Sequence, residues 1–137
     1  MPTVHHEITI ARRPAAVWEA ARDVGALHTR LVPAFVTDTQ MLADTVTPTR
    51  RVTFASGTVA DEVIVSIDDE RRRLVWSVLG VEHHNGALQI FAAPGGSRVT
   101  WTADVLPAAF AARIDPMMGA GLQCMKAFLE GGSSMPE

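Results

Sequence analysis

Two side chains in this sequence have the type and setting for acid–base or hydrogen-bonding chemistry inside an apolar region, His84 and Glu62. His84 opens the run 84–92, where it shares a face with Gly86, Leu88 and Ile90. That face is the more apolar one. Successive strand residues point to opposite sides, so His84 is expected to turn inward and His83, Asn85 and Gln89 outward. An imidazole near neutrality donates, accepts or shuttles a proton, and the plainer alternative is a structural hydrogen bond at a strand end. Glu62 lies in the run 58–67, where Ala60, Glu62, Ile64 and Ser66 alternate with Asp61, Val63, Val65 and Ile67. Periodicity alone puts the valines inside and Glu62 in water.

Other chemistries find no template. Of the five histidines, His5-His6 and His83-His84 are adjacent on strand or loop, where neighbouring side chains diverge and do not converge on one ion. Neither HExxH nor CxxC spacing occurs, so no metal and no cofactor are expected. There is no GxSxG elbow, P-loop or GxGxxG, and Gly95-Gly96 reads as a hairpin turn. Cys124, the single cysteine, reads as a small hydrophobe and suits a reducing compartment, the cytoplasm by default. His28 and Arg30 follow a short helix, either as surface groups or within reach of a ligand carboxylate.

The elements that must position these groups follow from patterning. Val4, Ile8 and Ile10 mark a first strand, ended by Pro14. Pro14 can take the first helical position, and Val17, Trp18, Ala21 and Leu27 recur around Gly25, which predicts two short helices at 14–22 and 24–30. Six strand-like runs follow at 34–42, 49–55, 58–67, 72–79, 84–92 and 97–105, separated by turn residues. Gaps that short join antiparallel neighbours. From Leu106 to Glu130, apolar residues at spacings of three and four predict a long amphipathic helix, kinked or restarted at Pro116 with Asp115 as cap. Gly131-Gly132 ends it, and 132–137 reads as a flexible tail behind one domain at 1–131.

At 137 residues there is room for one core, and 47% apolar against 20% charged residues excludes disorder. Twelve basic against fifteen acidic residues leave a net charge of −3 with no footprint for a phosphate backbone, so nucleic acid is not an expected partner. No stretch approaches the roughly 20 apolar residues of a membrane span, and the N-terminus lacks a signal-type apolar core, so a soluble protein without membrane insertion is expected. The order is strand, two helices, six strands, long helix. One helix about 10 Å across does not fill a curled seven-stranded sheet, so an internal cavity is the expected by-product.

This order, with PAAVWEAARDVGALHTRLVP, RRVTFASGTVADEVIVSIDDERRRLVWSV, HHNGALQIFAAPGGSRVTWTADVLP and GLQCMKAFLE, resembles the START-like, or SRPBCC, helix-grip superfamily, which includes the Bet v 1-like proteins and the polyketide cyclase/dehydrase family. The resemblance implies an α+β helix-grip fold, a curved antiparallel seven-stranded sheet around the C-terminal helix, and a ligand cavity. A finer likeness is to the abscisic-acid receptor branch, whose gate matches Ser56-Gly57 and whose pocket glutamate matches Glu62, reversing the parity that periodicity gives. His84 stands where that branch has a pocket tyrosine, and the chain has no Tyr. The loop from Gly80 to His83 is also shorter than the receptor's latch. A gated cavity is therefore implied, and a hormone receptor is not.

Three readings follow. The first is binding of a small hydrophobic molecule, lipid-, polyketide- or aromatic-like, in a cavity of about 300–1,000 Å³. The expected contacts are Phe35, Phe54, Glu62, Ile64, Trp76, His84, Leu88 and Trp101 from the sheet side and Met117, Met118, Gly121 and Met125 from the helix; for the methionines ordinary packing is the plainer role. The second is a polyketide cyclase or dehydratase with His84 or Glu62 as general acid or base. In the third, Val63, Val65 and Ile67 form the face of a homodimer.

Overall fold

Turn-sized gaps between β-rich runs leave the chain only antiparallel neighbours to pair with, and the computed structural model, which describes residues 2–132, shows that outcome. The strands are β1 (Thr3–Ile10), β2 (Val36–Met41), β3 (Thr49–Phe54), β4 (Val59–Asp68), β5 (Arg73–Val78), β6 (His83–Ala93) and β7 (Gly96–Leu106). They form one sheet in the order β1-β7-β6-β5-β4-β3-β2. From β2 to β7 the chain meanders, and β1 closes against β7 along all eight of its residues.

Between β1 and β2 lies α1 (Pro14–Arg22), with Pro14 in its first turn. The second short element is a single wide turn, Leu27–Leu31, and not the expected helix 24–30. The long helix α2 (Ala111–Ala127) follows a 3-10 turn at Ala108–Phe110 and ends in a wide turn, Phe128–Gly132. Pro116 does not restart it. Pro116 and Ala112, whose carbonyl loses its helical partner, are both exposed, so water can satisfy the freed oxygen. Asp115 is no cap either: its Oδ1 bonds His6 Nε2 at 2.5 Å and ties α2 to β1. The tail expected beyond Gly132 lies outside the described residues.

The inner face of α2 packs in two places. Ile114 and Met118 meet Val4, Ala103 and Val105. Leu122, Met125 and Leu129 join a larger core with Val17, Trp18 and Ala21 of α1 and Leu74, Leu88, Ile90 and Val99 of the sheet. The registers place Glu62 against Val78 and Ile64 against Trp76, but Ser66 against Val75, so one extra residue at Val65 makes a bulge. The bulge breaks the alternation on which the dimer face rested. Val65 is outside and 58% exposed, and Ile67, 39% exposed, is paired in register with the buried Leu74 on the other face.

Gly86 faces Trp76 in the β5–β6 register, and a Cβ there would come within 2.6 Å of the indole. The missing side chain lets Trp76 lie across β6, 6.0 Å from Trp101. Gly86→Ala is expected to destabilise the fold by about 1–3 kcal/mol, read as a lowered urea midpoint at unchanged slope.

Candidate ligand-binding cavity

The β3–β4 hairpin sets two cations opposite two anions. Its turn, Ser56-Gly57, has Gly57 at φ 94° and a bond from Gly57 N to Phe54 O of 2.8 Å. Residues equally far from Ser56 pair across the ladder, Arg50 with Glu62 and Arg51 with Asp61. Because adjacent residues alternate faces, one pair must go outside and the other inside. Arg51–Asp61 is the outer pair, bonded at 2.8 and 3.0 Å. Arg50–Glu62 is the inner pair, with Arg50 Nε donating to Glu62 Oε1 at 2.9 Å and the two side chains 3% and 8% exposed. Glu62 is therefore inside and not in water. The partner that makes its burial tolerable is Arg50, and the valine periodicity contains no information about that partner.

Two further contacts hold the guanidinium. Arg50 Nη1 donates to Val24 O at 3.2 Å, and the group lies over the Trp76 ring, 5.5 Å from its centroid. Burial pushes the Glu62 carboxyl up from its ordinary range, while the charge and hydrogen bond of Arg50 pull it back.

Around this pair, sheet and helix enclose a cavity of about 1120 Å³, slightly above the expected range. Phe35, Phe54, Glu62, Trp76, His84, Leu88, Trp101, Met117, Gly121 and Met125 line it. Ile64 and Met118 do not. Ile64 is core opposite Trp76, whose indole takes the cavity side. Met118 is turned about 100° around the helix from Met117 and packs on Val4 and Val105. Gly121 keeps the wall close, since a Cβ there would meet Trp101 at 2.9 Å and Phe35 at 3.1 Å. Val59, Leu79 and Val81 line the cavity yet are exposed, which marks its mouth between the β3–β4 and β5–β6 turns. His28 and Arg30 are not in the lining, and Arg30 pairs with Asp23 at 3.0 Å.

His84 is buried, its ring edge-on to Phe110 at 6.0 Å. Its nitrogens bond no other described residue, and since they are not among the fully buried unbonded polar atoms they keep some accessible surface, on the cavity that His84 lines. Burial first, and then His83, hold its pKa below the ordinary value, which favours the neutral ring. Glu62 pairs with Val78, and the β5–β6 register carried one residue past Ser77–Asn85 sets Val78 beside His84. Arg50, Glu62 and His84 thus occupy one row across the sheet. Two strand spacings, about 10 Å of backbone, separate Glu62 from His84.

The family model for polyketide cyclase / dehydrase and lipid transport matches residues 1–131. The chain belongs to this family. Among solved structures, the protein XoxI from Bacillus cereus shares 17% identity at a TM-score of 0.78, covering 94% of this chain and 96% of that one. A protein from Thermobifida fusca shares 27% identity at a TM-score of 0.68 over 88% and 85%. Ara h 8.0201, a Bet v 1-like protein, shares 17% at 0.68 over 92% and 95%. A search of curated proteins finds no match. The sheet, the C-terminal helix and these likenesses give the Bet v 1-like helix-grip fold.

Two measurements probe the site. Arg50→Met strands a buried carboxylate and is expected to destabilise by about 3–5 kcal/mol, whereas Arg50→Met/Glu62→Leu, which removes both charges, is expected to recover most of that loss in urea unfolding. For His84, with its pKa lowered on folding, the unfolded chain binds the proton more readily, so stability is retained above the ordinary value near 6.5 and lost as pH falls through the folded value. The drop in unfolding free energy between about pH 7.5 and 5.5 is expected to be smaller in His84→Gln than in the wild type.

Proposed function

We propose that this protein binds a small, mostly apolar molecule in the cavity between its sheet and α2. The observation that carries this reading is the 1120 Å³ space itself, walled by Phe35, Phe54, Trp76, Leu88, Trp101, Met117 and Met125, with Arg50, Glu62 and His84 as the buried polar residues of its lining. Apolar burial supplies affinity, and the polar row orients the guest. The family's description as polyketide cyclase, dehydrase and lipid transport supports the same class of ligand.

A second reading is favoured by one observation, the unbonded imidazole of His84 facing the space. A neutral imidazole in a partly dry pocket suits proton transfer, so the bound molecule would be a substrate of ring closure or water loss, folded into reactive shape by the walls.

One experiment addresses both. Native mass spectrometry of the protein isolated from its own host is expected to show a retained small molecule, and Val78→Trp, which projects an indole into the middle of the cavity, is expected to carry none. An unliganded wild-type protein that also takes up no apolar dye sinks the binding proposal. In His84→Ala the same retained mass supports binding alone, and an accumulated mass different from the wild type's supports catalysis.

A further inference from the structure

Two ion pairs of the same chemistry cross from β3 to β4 on adjacent rungs, yet their geometry differs. The outer one is a fork, Arg51 Nε to Asp61 Oδ1 and Nη2 to Oδ2. The inner one is a single bond, Arg50 Nε to Glu62 Oε1. With Nη1 given to Val24 O, this leaves Arg50 Nη2 and Glu62 Oε2 without a hydrogen-bond partner among the described residues. Both side chains are more than nine-tenths buried, and both residues line the cavity. Among the described residues the fully buried side-chain polar atoms without a partner are His28 Nδ1, Thr39 Oγ1 and Trp101 Nε1; Nη2 and Oε2, equally unbonded, are not among them, so they keep some accessible surface, and the cavity their residues line is where it opens. A donor and a carboxylate oxygen placed together in an apolar chamber are costly unless something bonds them.

We propose that Arg50 Nη2 and Glu62 Oε2 form a ligand subsite that takes a polar group in which a hydrogen-bond acceptor stands beside a donor. Lactams, carboxylic acids bound in neutral form and hydroxy-ketones share this chemistry. The acceptor oxygen receives N–H from Arg50, and the donor gives its hydrogen to Glu62. The pair is internally neutral, which selects against single-sign groups: an anion that only accepts meets the Glu62 charge, and a cation meets the Arg50 charge. Trp76, under the guanidinium, and Val78, next in the row, then receive the apolar body of the ligand. This subsite rests on the reading of the cavity as a ligand site, and its test separates the two.

Titration calorimetry with three bicyclic probes of one size isolates the polar group: 2-quinolinone, with acceptor and donor side by side; quinoline, an acceptor alone; and naphthalene, with neither. All three are expected to bind, with 2-quinolinone roughly tenfold tighter or more than the others, the gain typical of hydrogen bonds to charged partners. In Arg50→Met/Glu62→Leu that preference is expected to vanish while naphthalene still binds. Equal affinities in the wild type, or a preference that survives in the double variant, overturn the subsite and leave the cavity reading standing. Binding of none of the three overturns both. Should the double variant fail to fold, the wild-type series alone decides.

Discussion

A curled sheet of seven strands has more concave surface than one helix can cover, and this mismatch of widths governs the molecule. The helix is about 10 Å thick, whereas seven strands at about 4.8 Å spacing span roughly three times that before they curl. α2 meets its limit by taking one flank. Its Ile114 and Met118 settle on β1 and β7, its C-terminal half joins α1, and the opposite flank under β3, β4 and β5 is left without a helix. The cavity lies there because nothing in the chain is available to fill it.

Into that unfilled flank the chain places a guanidinium and a carboxylate. Removing two charges from water is expensive, and their mutual attraction seldom more than offsets the cost, so such a pair is weak evidence of a stabilising role. An apolar pair of similar volume would complete the wall at least as well. The single-bond geometry makes the contrast sharper, because an arginine–carboxylate pair one rung away, Arg51–Asp61, closes a full fork in the open. A pair selected for stability alone would be expected to close its fork where the dielectric is lowest. What distinguishes the inner pair is the cavity beside it.

Much of the fold was legible because its signals are local. Turn residues separate the β runs, and apolar spacing of three to four marks α2; the strand limits shift by no more than two residues. The site was harder to read. His84 could be assigned a face because Gly86, Leu88 and Ile90 share it and are buried or small. Glu62 could not, since Val63 and Val65 compete for the interior on apolarity alone, and the decision comes from a bulge and from a cation twelve residues earlier. The signal for Arg50 was nevertheless present: two basic residues and two acidic ones stand symmetrically about Ser56, and strand alternation forces one of the two pairs indoors. Met117 and Met118 show a finer limit, because one position on a helix decides between cavity and core.

The placement of the polar row has a consequence for selectivity. An apolar wall discriminates poorly, with one methylene worth only about 1–3 kcal/mol, and flexible thioethers such as those of Met117 and Met125 blur shape further. A chamber of about 1120 Å³ walled only in this way would accept many guests in many poses. As the proposed binding site, Arg50 and Glu62 at one position and His84 two strands away would impose a direction instead, because a guest that leaves a buried donor or acceptor unmet forfeits a hydrogen bond to a charged or desolvated group. On the proposed binding reading, selectivity resides in the spacing of polar groups along one rung of the sheet, which strand pairing holds fixed. Apolar walls tolerate volume-conserving substitution, whereas a register shift of one residue in β4 would turn Glu62 outward and leave Arg50 alone inside.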